Sequence, residues 1–245
     1  MRRMATFVLV HGAWHGSWCW KRVRKALQAS GHDVLTPTLT GVGERSHLNS
    51  AGVDLSTHIA DVVNLIRWEE LSDVILCGHS YGGCVITGAA DRVPDRIRAL
   101  VYLDAFVLED GECLFDLVPA EQGPAMRQQA QDGWKVPPIP AEVFQVNARD
   151  AAWVNGQCTP QSLATFEERI KLTGGLKRIR DVTHILATGF REGSPFPLSH
   201  ERAKTKGWHT RTIACGHDAM LDLPEELTQL LLECASRKAA AHTAG

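Results

Sequence analysis

Ser80 stands between two glycines in "LCGHSYGGCV" (76–85), with apolar residues on both sides. The run Gly78-His79-Ser80-Tyr81-Gly82 is a G-x-S-x-G pattern preceded by a strand-like stretch and followed by a helix-like one. That context suits a nucleophile on a sharp strand-to-helix turn, where small flanking residues let the hydroxyl stand clear. A serine hydroxyl attacks carbonyl carbon only with a base beside it. The candidate base is His217 in "IACGHDAMLDLP", expected in a loop at the same sheet edge. A carboxylate must orient that imidazole and stabilise its protonated form. Two acids qualify: Asp104, closing the strand-like "RALVYLDAF", and Glu192, in "TGFREGSPF". Asp104 is favoured because a strand end is held more rigidly than a loop flanked by Gly and Pro, and Glu192 stays as the alternative. Acyl transfer also needs backbone N–H groups around the developing oxyanion. Tyr81, next to the nucleophile, and Ala13, in "HGAWHGSW", are the expected donors.

Trp14, Phe106, Trp134 and Met220 are candidate pocket walls, and packing without substrate contact explains each equally well. His11 and His15 are four apart, but they leave a strand for a loop, so helical metal-ligand geometry does not apply. No metal is expected.

These residues need a scaffold that brings distant segments to one edge. Short apolar runs alternate with helical periodicity, the pattern of a parallel sheet covered by helices. "ATFVLVHG", "HDVLTPTL", "DVILCGHS", "IRALVYLDAF", "DVTHILATG" and "WHTRTIAC" read as strands. Leu55, Ile59, Val62 and Ile66, spaced by four, three and four, mark a helix. Ser17, Thr159 and Asp222 are expected N-caps, with Pro160 and Pro224 in the first helical turns. From about 108 to 180 the rhythm breaks into a Pro- and Gly-rich stretch. The division is therefore a core of 1–107 and 181–245 with a helical cap, 108–180, inserted between strands.

At 245 residues with 44% hydrophobic and 22% charged residues, the chain has material for one large core. A net charge of −2 and scattered basic residues argue against nucleic acid or an anionic membrane as partner. The seven cysteines form no C-x-x-C pair, so reduced thiols are expected. The apolar run after the N-terminal arginines is short for a signal peptide, and a cytoplasmic location is expected. A homodimer is compatible with the chain.

"FVLVHGAWHGSWCW", "GHSYGG", "LVYLDAF" and "GHDAMLDLPEEL" together resemble an α/β-hydrolase. The resemblance is to the branch that holds plant methylesterases, hydroxynitrile lyases and small bacterial esterases. It implies the α/β-hydrolase fold, a Ser80–His217–acid triad and no cofactor. The lyases of that branch resemble one another in a lysine directly after the catalytic histidine, where this chain has Asp218. The expectation is a serine hydrolase acting on a small, apolar or aromatic carboxylic ester, lactone or thioester. The alternatives are a cofactor-free C–C lyase or oxygenase with His217 as base, and a non-catalytic small-molecule receptor.

Overall fold

The computed structural model describes residues 4–190 and 193–237. The chain opens with β1 (Thr6–Val10), α1 (Lys21–Ala29), β2 (Asp33–Leu35), α2 (Leu55–Trp68), β3 (Val74–His79), α3 (Gly82–Arg92) and β4 (Ile97–Leu103). Then come α4 (Gln122–Gln129), β5 (Lys135–Val136), α5 (Ala148–Gln157), β6 (Gln161–Ser162) and α6 (Ala164–Glu167). It closes with β7 (Asp181–Ala187), α7 (Phe196–Thr205), β8 (His209–Ile213), α8 (Ala219–Asp222) and α9 (Pro224–Ser236).

Six strands pair in parallel in the order β2-β1-β3-β4-β7-β8. Side chains of a strand alternate between faces, and in β1 both sets are apolar. Val8 and Val10 enter one core with Ile59, Val62 and Val85; Phe7 and Leu9 enter the other with Val23, Leu27, Leu227 and Leu231. The sheet is thus sandwiched, with α2 and α3 on one side and α1 and α9 on the other. Burying each such aliphatic or aromatic side chain contributes about 1.5–3 kcal/mol. Truncating Leu76 to Ala in fully buried β3 would cost about 2–5 kcal/mol through lost contacts and the cavity left behind. The chain runs outward from β1 to β2 and crosses back to β3, so the strand order reverses beside β1. Parallel sheets open a crevice at that switch point, beyond the strands' C-terminal ends.

Between β4 and β7 the chain leaves the sheet. A buried acid needs donors, and at the chain's return Asp91 of α3 accepts from the backbone N–H groups of Thr173, Gly174 and Leu176 at 2.5, 3.0 and 2.9 Å. Among the described residues, no helix is long and apolar enough to cross a membrane.

Three local expectations need correction. Ser17 starts a 3-10 turn instead of capping α1, which is preceded by that turn. Asp222 does not cap α9; its carboxylate accepts from the backbone N–H groups of Asn147 (3.0 Å) and Gly216 (3.2 Å), tying α5 to the His217 loop. Thr159 and Pro160 begin no helix. Thr159 N–H donates to Trp14 O at 3.0 Å and Thr159 Oγ1 accepts from Gly43 N at 2.8 Å, which holds that segment extended into β6.

Candidate active site

Ser80 sits between β3 and α3 with φ 55°, a left-handed conformation that costs a non-glycine residue energy. Surrounding contacts hold it there. Its N–H donates to Leu103 O (3.2 Å), and its carbonyl accepts from Gly83 N (2.9 Å) and Phe106 N (3.2 Å). The flanking glycines are steric necessities. A Cβ on Gly78 would lie 2.5 Å from Gly82 O, and one on Gly82 would lie 2.7 Å from His11 O.

The chain turns sharply again after β4, where Asp104 has φ 40°. Its Oδ1 accepts from Ala187 N at 3.0 Å, and its Oδ2 lies 2.6 Å from His217 Nδ1. With Asp104 as carboxylate, Nδ1 is the donor and Nε2 is left as the basic atom. Burial pushes the Asp104 carboxyl up, the Asp218 carboxylate adds to that push, and the Ala187 amide opposes it. Burial also pushes the His217 imidazole down, to about 4. An unprotonated imidazole is the form that can take a proton from a hydroxyl. The His217 backbone is fixed on both sides: its N–H donates to Phe144 O (2.9 Å) and its carbonyl accepts from His79 Nε2 (3.1 Å). Its ring stacks on Phe196, with centroids 4.7 Å apart, and also packs on Phe144 and Phe190. Glu192 lies outside the described residues.

The loop after β1 is held by a histidine of defined tautomer. Leu39 N–H donates to His11 Nε2 at 3.0 Å, so the ring proton sits on Nδ1, which donates to Gly12 O at 2.8 Å. Burial pushes the His11 imidazole down to about 3, which keeps it neutral. In a trans peptide the N–H points opposite to the C=O. Anchoring Gly12 O therefore turns the Ala13 N–H away from His11.

Ala13, Ser80 and Tyr81 line one cavity of ≈ 380 Å³. Its walls include Trp14, Phe106, Leu114, Met126, Ile139, Phe144, Phe166, Phe190 and Phe196, and Glu121 is the one carboxylate among its described lining residues. Trp14 serves the wall and the packing at once, since its Nε1 donates to Val136 O at 3.2 Å. Trp134 and Met220 do not line the cavity. The β5–β6 pairing carries Trp134 outward, its ring facing the Lys135 ammonium at 5.0 Å. Met220 is fully buried on the α1 and α9 side of the sheet. Phe144, Phe166, Phe190 and Phe196 went unread in the sequence. Only the last two carried a signal, by bracketing the loop after β7.

His79, His217 and Asp218 could offer metal-ligand atoms within 4.8 Å of one another. Several of those atoms are already engaged: His217 Nδ1 by Asp104, His79 Nε2 by His217 O, and Asp218 Oδ2 by His15 Nε2.

Residues 7–230 match the family model described as "Alpha/beta hydrolase family". The "Carbendazim hydrolyzing esterase" of Nocardioides sp. (strain SG-4G) is 49% identical over 239 residues, covering 93% of this chain and 98% of that one. "Methylesterase 1" of Arabidopsis thaliana is 32% identical over 148 residues, 56% of this chain and 52% of that protein. Among solved structures, an extracellular alpha/beta-hydrolase from a Paenibacillus species is 25% identical with a TM-score of 0.82, covering 95% of this chain and 100% of that one. It is described as sharing structural and functional homology with tobacco salicylic acid binding protein 2.

Proposed function

This chain is an ester hydrolase that belongs to the alpha/beta hydrolase family, and we propose that it works through an acyl-enzyme formed on Ser80. The observation that carries this reading is the buried 2.6 Å contact between His217 and Asp104, at the same sheet edge as the strained Ser80. Ser80 Oγ attacks the ester carbonyl while His217 Nε2 takes the hydroxyl proton. Asp104 stabilises the imidazolium that forms. The N–H groups of Ala13 and Tyr81 receive the oxyanion. Collapse of the tetrahedral intermediate expels the alcohol, which receives the proton from His217. Water, activated by the same imidazole, then releases the acid and restores Ser80.

The cavity's apolar, phenylalanine-rich wall favours a neutral substrate with an aromatic or aliphatic body. The relative that is 49% identical brings the carbamate ester carbendazim into the candidate set. The test is a panel of aryl, alkyl, lactone and carbamate esters, with carbendazim included, run on wild type and Ser80→Ala. Ser80→Ala should lose about 10⁴- to 10⁶-fold in kcat, and a fluorophosphonate should label wild type alone. Retention of activity in Ser80→Ala with loss in His217→Ala would instead indicate base chemistry without an acyl-enzyme.

A further inference from the structure

The loop after β1 and the loop carrying His217 meet in a buried contact that the triad does not use. His15 Nε2 lies 3.0 Å from Asp218 Oδ2, their side chains 4% and 0% exposed. His15 Nδ1 lies 2.7 Å from Ala13 O. A carbonyl and a carboxylate both only accept, so each ring nitrogen of His15 donates and the ring is an imidazolium. The electrostatics agree. Burial works to lower the His15 imidazole, but the Asp218 carboxylate and the Cys158 thiol together hold it well above its ordinary value. Burial likewise works to raise Asp218, and the imidazolium keeps it well below the carboxylate range. Trp18 stacks on His15 with ring centroids 5.0 Å apart, a favourable partner for a cation.

The Ala13–Trp14 peptide is therefore held twice: His15 binds its carbonyl, and Gln161 Oε1 accepts its N–H at 2.9 Å. Trp14 needs holding, since its φ is 63°. On the other side, Asp218 follows His217 in the chain, and its Oδ1 lies 3.7 Å from the His79 Nε2 that binds His217 O. We propose that His15 and Asp218 are positioning residues, a buried imidazolium–carboxylate clamp that keeps the Ala13 donor and the His217 base converged on one carbonyl. The proposal rests on the serine-esterase reading. The titratable groups facing the clamp are His11 after β1, His79 from β3, His217, Asp104 after β4, Cys19 before α1, Cys215 after β8, and Cys158 after α5, whose Sγ is 4.0 Å from His15 Nδ1.

Asp218→Asn keeps the shape and removes the charge; His15→Gln is the second variant. Kinetics are referred to active sites counted by fluorophosphonate labelling. Each variant should lower kcat on an aryl ester by about 10- to 100-fold, less than loss of a whole oxyanion donor, with KM within about twofold. Affinity for a boronic acid, which forms a tetrahedral adduct on Ser80, should fall in parallel. A kcat per labelled site within about twofold of wild type in a folded variant would overturn the clamp. If neither variant folds, ¹⁵N NMR of wild-type histidines decides. His15 should keep both ring protons at pH 8, and losing one between pH 6 and 7 would overturn the clamp. Wild type that resists the fluorophosphonate sinks the serine-esterase reading instead, a result independent of the NMR.

Discussion

Around Ser80 each position is dictated by residues a few places away or by the adjoining strand. Gly78 and Gly82 stand back to back, the serine backbone is bonded to Leu103, Gly83 and Phe106, and the loop after β1 is pinned through His11. Across the cavity, the phenylalanines at 144 and 166 come from a stretch of short elements, where β5 and β6 have two residues each and α6 has four. That stretch is fastened to the core by discrete polar contacts, such as Gln161 to the Trp14 N–H, Glu168 to Ser56 and Asp150 to Arg22. Backbone sterics build the sheet edge, which can therefore hold reacting groups closely. The roof presents apolar side chains to the cavity, so one of them can be exchanged while the backbone bonds from this stretch to His217 and Trp14 stay in place. Division of labour follows: the edge should set kcat and the roof should set KM and substrate choice.

The strongest way to break that contrast is at Asp104. Asp104→Asn leaves the shape but no longer enforces the tautomer that His217 needs, so kcat should fall by about 10⁴-fold. Near-normal turnover of every substrate in the panel would remove Asp104 from the site and give Glu192 its place. A smaller effect is expected in the roof. Phe166→Ala enlarges the wall without touching a polar group of the sheet edge. It should raise KM for a bulky aryl ester by about 10- to 100-fold, the equivalent of about 1–3 kcal/mol of lost apolar contact. Turnover of a short acetate ester should change little. If kcat for the acetate fell as far as in Asp104→Asn, roof and edge would be one mechanical unit.

The smallest effect is a shift along the pH axis. The free base is the working form in the proposed mechanism, and burial lowers His217 to about 4. With Asp104 ionised, activity should therefore fall only as pH drops through about 4, and kcat/KM at pH 5.5 should stay close to its neutral value. An acid limb near the ordinary histidine value of about 6.5 would mean that His217 is solvated in the working enzyme, and the sheet edge less enclosed than its packing implies.

Periodicity and turn chemistry made much of the fold legible. Apolar runs gave the inner strands β1, β3, β4 and β7, because a strand covered on both faces is apolar almost throughout, whereas the edge strands β2 and β8 are partly exposed and mixed in character. The glycine spacing marked the turn at Ser80, because only small residues fit there. The helix expected at Thr159 failed for a complementary reason. Its hydroxyl and N–H are bound to Gly43 and Trp14, far along the chain, and those bonds override local capping preference.

By itself, then, the sequence determined the strand–turn–helix around Ser80 and the order in which Ser80, Asp104 and His217 follow strands that end at one edge. Those features are written in neighbouring residues, through the two-residue period of strands and the clash that any Cβ would make. Tertiary structure alone decided that Asp104 meets His217, that Trp134 and Met220 leave the cavity while Phe144 and Phe166 wall it, and that Asp218 pairs with His15. Each of those contacts joins segments from different parts of the chain, and no local pattern records which distant side chain a loop will bring within 3 Å.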